Sequence, residues 1–153
     1  MIRKVLLGGI GALLVCACGR GPTPPPYRPI ADVKQLMHAL DAEADALWEA
    51  TGWIDTAEGT VERRPKNEEE WEHVRASAIM LTEAGNLLMM PPRAKDGGEW
   101  MKRSQELIDI GQRAWRAAEA KNVQQLFTVG GEVYDACSHC HQQYMEAIVN
   151  ANK

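Results

Sequence analysis

Phenylalanine occurs once in this chain, tyrosine three times and cysteine four times, and two of the four cysteines, Cys16 and Cys18, fall within the first eighteen residues. No basic run interleaves with aromatic residues, and 17 Lys and Arg stand against 21 Asp and Glu. The electrostatic footprint of a nucleic-acid binder is therefore missing, which excludes that class of partner. No serine stands with a plausible base and no paired carboxylates share an evident cleft, so the sequence offers no convergent catalytic set and does not read as an enzyme. The apolar stretch Val5 to Val15 is too short to span a bilayer as a permanent helix. Tryptophan runs against this scarcity with five copies, and a flat indole serves either a core or a bulky planar cofactor.

What is present fits one exported domain. The 153 residues are 45% apolar and 25% charged, enough for one hydrophobic core and hardly enough for two. Arg3 and Lys4 precede the apolar stretch as a positive head, so residues 1–17 read as a secretory signal. Its end, Val15-Cys16-Ala17-Cys18, resembles the lipobox of bacterial lipoproteins and makes Cys18 the candidate lipidated residue; an ordinary cleaved signal is the alternative. Residues 18–29 form a proline-rich tether, "GRGPTPPPYRP" from Gly19, whose prolines favour extended polyproline II. Loss of residues 1–17 removes two basic side chains and no acidic one, leaving 15 against 21 and a net charge of −6 on a protein expected in the periplasm, lipid-anchored to a membrane.

Residues 30–150 carry helical periodicity almost throughout. Val33, Leu36, Met37, Leu40, Ala44, Leu47 and Trp48 recur at steps of three and four, which predicts a first helix ending near Gly52. Asn67 and Glu70 give a capping-box-like start to a second helix that stops at Pro91-Pro92. After Gly97-Gly98, the series Met101, Ser104, Leu107, Ile108, Gly111, Trp115 and Ala118 predicts a third. Asn122 caps a fourth, with Val123, Leu126, Phe127, Gly130, Val133, Tyr134, Cys137, Cys140, His141, Tyr144 and Ile148 facing inward. The expected fold is all-α, an antiparallel up-down-up-down four-helix bundle, with the alternation in Trp53 to Arg63 compatible with a small hairpin between helices one and two.

Cys137-Ser138-His139-Cys140-His141 lies on the inward side of helix four. A structural zinc site needs four ligands, and the two remaining cysteines are Cys16 in the signal and Cys18 directly after it. A thioredoxin-like dithiol belongs at a helix start beside a parallel sheet, and no strand pattern surrounds these residues. Covalent haem attachment has this specific Cys-x-x-Cys-His spacing. On a helix Cys137 and Cys140 are neighbours on one face and His141 leans over the same face, so two thiols can add across two vinyl groups while the imidazole reaches the iron. One covalently bound haem c is the cofactor so implied, with His141 as the neutral proximal ligand.

Four predicted helices with this motif on the last of them resemble the class II c-type cytochromes, cytochrome c′ and the low-spin c556-type proteins, over roughly Ile30 to Asn150. The resemblance implies a distal iron ligand from the middle of helix one, where the family often carries Arg-x-x-x-Met or Arg-x-x-x-Leu. Here Val33-Lys34-Gln35-Leu36-Met37 has the Met and lacks the Arg, and Met145 follows Tyr144 where the family usually has a basic residue. Met37 is thus the implied sixth ligand, against the plainer reading of a core methionine. His38 lies roughly 100° round the helix with Lys34, Asp41 and Asp45, on the solvent face. His73 and His139 read as exposed, and Met89, Met90 and Met101 as packing. Tyr134 and Trp115 are candidate haem neighbours, and Arg63, Arg64 and Arg93 candidate propionate partners. The implied function is single-electron transfer between redox partner proteins. The alternatives are NO or CO binding at a five-coordinate iron, or a haem-bearing module of a larger membrane complex. Family members often pair through helices one and two, so a homodimer is one assembly the resemblance allows, and the charged exposed remainder of helix two does not decide it.

The lipobox resemblance is directly testable. Mass spectrometry of the mature protein should find acyl chains on Cys18, and Cys18→Ala should abolish them; a wild-type protein without added lipid leaves ordinary secretion.

Overall fold

A computed structural model describes the backbone of residues 26–150 and the side chains as far as Met145. The signal 1–17, Cys18 and most of the tether lie outside the described residues, as does the side chain of Ile148. The chain is mostly helical, with elements in the order α1 (Val33–Glu49), β1 (Gly52–Thr56), β2 (Gly59–Arg63), α2 (Glu68–Met89), α3 (Glu99–Glu119) and α4 (Val123–Asn150). No helix among the described residues is long and apolar enough to cross a membrane.

Local chemistry sets the helix boundaries. Asp32 caps α1 by accepting from the Gln35 amide at 2.7 Å, while the Gln35 side chain accepts from the Asp32 amide at 3.0 Å, so both orphan donors are satisfied. Helix one therefore starts at Val33, the first residue of its apolar series. Asn67 caps α2 through the Glu70 amide at 2.9 Å, and Asn122 caps α4 through the Gln125 amide at 2.9 Å. Between α1 and α2 the hairpin forms as an antiparallel pair, Ile54 opposite Val61 and Trp53 opposite Glu62. It docks through Trp53, which meets Phe127 edge-on with ring centroids 5.2 Å apart. Phe127 is accordingly 43% exposed under the hairpin and does not belong to the inner stripe of α4.

Helix α2 packs on α1 and α3, and α4 packs on the same two neighbours, which closes the four helices into a ring. Two apolar clusters fill it. The larger includes Leu47, Val74, Leu81, Ala114, Leu126 and Val133; the smaller holds Val33, Leu88, Trp100, Leu107 and Tyr144. Leu36 and Met37 pack against both, Cys137 against the larger and Cys140 against the smaller.

The α2–α3 contact is the tightest, and its buried side is made of small residues. A Cβ on Gly85 would stand 2.5 Å from Ile108 Cγ1 and 2.6 Å from the Ser104 carbonyl oxygen, and one on Gly111 would run into Thr82. With Ala114, Ala117 and Ala118 facing inward beside Gly111, Trp115 is turned out and is 38% exposed. The expectation of an inward Trp115 is corrected on this ground: an indole at that angle would push apart helices that here meet through glycine and alanine.

Replacing Gly85 by Ala tests how far that closeness matters. Better helix propensity contributes about 1 kcal/mol in favour. Overpacking against a carbonyl that cannot step aside costs about 1–3 kcal/mol. A net loss of stability is expected, read as a lower denaturant midpoint with an unchanged slope.

Candidate haem-binding cavity

A cavity of about 230 Å³ lies inside the ring where the two clusters meet. Helix α4 presents Tyr134, Cys137, Cys140 and His141 to it, and α1 faces them with Met37, Leu40, Asp41, Ala44 and Trp48. Leu81 and Leu88 come from α2, and Arg103, Ser104 and Leu107 from α3. Most of this wall is apolar, and its ionisable groups come down to one arginine, one aspartate, one imidazole, one phenol and two thiols.

The 3.6-residue period accounts for the α4 side. Leu126, Val129, Val133, Ala136 and Tyr144 are buried, and Cys137, Cys140 and His141 lie between them, half-buried. Gly130, one turn before Tyr134, accepts from Trp48 Nε1 at 3.0 Å through its carbonyl, a hydrogen bond that locks α1 to α4 beside the cavity. Tyr134 meets Trp48 edge-on at 6.0 Å and is 60% exposed, so it forms an outer lip of the cavity.

Of the residues singled out in the sequence, Cys137, Cys140, His141, Met37 and Tyr134 come together here. Trp115 does not. His38, His73 and His139 are exposed, and Met89, Met90 and Met101 are half-buried away from the cavity. None of the three arginines proposed as propionate partners reaches it either. Arg63 pairs with Glu49 at 3.2 Å, and Arg64 lies 3.9 Å from Glu62. Arg93 is buried because it donates to the carbonyls of Ala31 at 3.0 Å and Leu87 at 3.3 Å, tying the α2–α3 loop to the start of α1. The arginine at the cavity is Arg103, which sequence reasoning missed. Its spacing of four from Leu107 and seven from Ile110 puts it on the flank of the α3 stripe, the available signal.

Burial pushes both thiols above their ordinary value; the neighbouring Cys140 and then Asp41 add to this at Cys137. At Cys140 burial is likewise the leading cause, with Arg103 pulling the other way and Glu106 pushing up again. Exchange-active dithiols have lowered values, so the direction of these shifts does not favour thiol–disulfide exchange. Both are free, and no group of three or more His, Cys, Asp or Glu side chains suited to one metal ion occurs among the described residues.

The donor set is of the kind that the haem implied by the Cys-x-x-Cys-His spacing would use. The cavity is apolar with an open lip, it carries a soft thioether on the wall facing the imidazole-bearing helix, and Arg103 Nε is shut off from water without an acceptor. No family model, curated protein or solved structure matches the chain.

Three residues past His141, a clamp fixes α4. The Tyr144 hydroxyl donates to Asp96 at 2.6 Å, and the Asp96 carboxylate also accepts from the amides of Gly98 at 2.8 Å and Trp100 at 3.2 Å. The Trp100 ring meets Tyr144 edge-on at 5.0 Å and donates to the Leu88 carbonyl at 2.8 Å. The bond to Tyr144, followed by those two amides, holds the Asp96 carboxyl below its ordinary range, and the same Asp96 bond, aided by burial, pushes Tyr144 up to about 12. The signs run in opposite directions. The Asp96 contribution to stability is present above the ordinary carboxylate range and is lost as pH falls through its lowered value. The Tyr144 contribution is present below the ordinary tyrosine value near 10 and is lost as pH rises towards 12. Tyr144→Phe should lower the unfolding midpoint at neutral pH and remove the latest-ionising phenol from the ultraviolet titration. An unchanged titration would show the clamp does not hold in solution.

Proposed function

We propose that this chain is a periplasmic, lipid-anchored monohaem c-type cytochrome of the class II kind. It carries single electrons between redox proteins, with its haem joined to Cys137 and Cys140 and held by His141 and Met37. The observation that carries the reading is the meeting of Met37 with both thiols and the imidazole around one apolar cavity. The up-down-up-down arrangement belongs to the same proposal; the ring of neighbouring helices supports it.

Haem bound there supplies an iron centre that takes up and gives back one electron. The chain's own residues do the rest. Cys137 and Cys140 would hold the group through thioether bonds to its two vinyl substituents, an addition of S–H across C=C that would need no oxidant. His141 offers a ring nitrogen and Met37 a neutral thioether, a ligand that favours the reduced state of iron. Leu40, Leu81, Leu88 and Leu107 exclude water and keep the local dielectric low. Met37 is what favours electron transfer over gas binding, since a thioether bound to the iron would compete with NO or CO.

Produced with a c-type maturation system, the protein should keep haem through denaturing electrophoresis, and exchanging both Cys137 and Cys140 for Ala should abolish that stain. The ferric spectrum should be low-spin, with the weak near-red band of iron–methionine sulfur. Met37→Ala should turn it high-spin and open to CO, and His38→Ala should leave it unchanged. A high-spin wild-type spectrum would move the function to gas binding, and loss of low-spin character in the His38 variant alone would point to bis-histidine ligation.

A further inference from the structure

Arg103 is the one arginine among the described residues of the cavity wall, which includes no lysine, and two of its three nitrogens already face carboxylates elsewhere. Nη1 lies 3.0 Å from Glu106 and Nη2 lies 3.6 Å from Glu99, both partners being on α3 itself at the rim. Glu99 also lies 3.5 Å from Lys102, so its charge is shared. The third donor, Nε, is buried and has no hydrogen-bond partner among the described residues. A guanidinium hydrogen-bonded to Glu106 and within ion-pair distance of Glu99 is restricted in orientation, and its Nε–H is a costly group to leave unpaired. The rest of the cavity wall is mostly apolar, with Asp41 at its exposed edge and Cys140 on α4.

From this arrangement we infer that Arg103 is the cavity's carboxylate-binding residue: its inward N–H and charge take one carboxylate of the porphyrin. The inference rests on the proposed haem function. Glu106 and Glu99 are positioning residues, restricting the guanidinium's orientation and offsetting part of its charge.

The test separates the two claims. In a full-length Cys137→Ala/Cys140→Ala protein, porphyrins bind without covalent attachment. Haem and its dimethyl ester, which lacks both carboxylate charges, are each titrated by Soret absorbance. The parent should prefer haem to the ester by roughly tenfold or more, the size of a charge-assisted hydrogen bond partly shielded from water. Arg103→Leu should weaken haem, leave the ester nearly unchanged and so erase the preference. Arg103→Lys, which keeps the charge without the planar fork, should restore part of it, and it stands in if the Leu variant fails to fold, a reduced preference then being the expected result. A preference that survives in the variants, or a parent that binds both porphyrins equally, would overturn the role of Arg103 and leave the haem reading intact. Failure of the parent to bind either porphyrin would overturn both.

Discussion

Helix α4 has to serve two apolar clusters with one stripe, and everything else about the site follows from that constraint. Leu126, Val129 and Val133 lie in the larger cluster and Tyr144 in the smaller. Burying a Val or Leu side chain contributes about 1.5–3 kcal/mol, so three such residues outweigh any preference a pair of thiols has for orientation. The rotation of α4 about its axis is thereby set by its apolar residues. Cys137, Cys140 and His141 occupy the same stripe between the two clusters and are carried to the cavity without any interaction of their own to steer them there.

The cavity exists because the ring of helices closes unevenly. Gly85 and Gly111 bring α2 and α3 so close that no side chain fits between them at those points. On the other side of the ring, α1 and α4 meet through larger residues, including the Trp48 indole that hydrogen-bonds to the Gly130 carbonyl, and room remains between them. The Asp96–Tyr144 clamp and the Trp100 bond to Leu88 then hold the far end of that opening. Rigid walls of this kind suit the proposed function: an electron carrier works best when its surroundings reorganise little between oxidation states, and a thioether fixed by packing against both clusters cannot drift far from its place.

Electrostatics inside the cavity is sparse, which gives each charge weight. Asp41 stands at the exposed edge and Arg103 on the opposing helix, with apolar surface between them. In such a setting a single fixed cation shifts the affinity for an anionic group far more than a surface lysine does, because less water screens it. The exposed rows of acidic residues on α1 and α2 act at longer range, on the approach of partners and on solubility.

The apolar period, the caps at Asn67 and Asn122 and the five-residue motif were legible because each depends on residues within one or two turns of each other, where spacing alone fixes geometry. The hairpin at Trp53 to Arg63 was legible only as an option, since its strands are exposed and its anchor, Phe127, is over sixty residues away. Trp115 and Arg103 show what a helical wheel cannot decide. Both sit on the edge of the α3 stripe, and a turn of some tens of degrees sends one edge outward and the other into the cavity. That turn was chosen by the close approach of α2 through Gly85, a contact between residues distant in sequence. Arg93, equally plausible as a cavity residue, was claimed instead by carbonyls of the α1 and α2 ends. Sequence by itself determined that the chain makes four helices and that thiols and imidazole share a face of the last. Only tertiary packing decided which residues stand opposite that face, because the position of one helix against another is set by the sum of many distant contacts that no local pattern records.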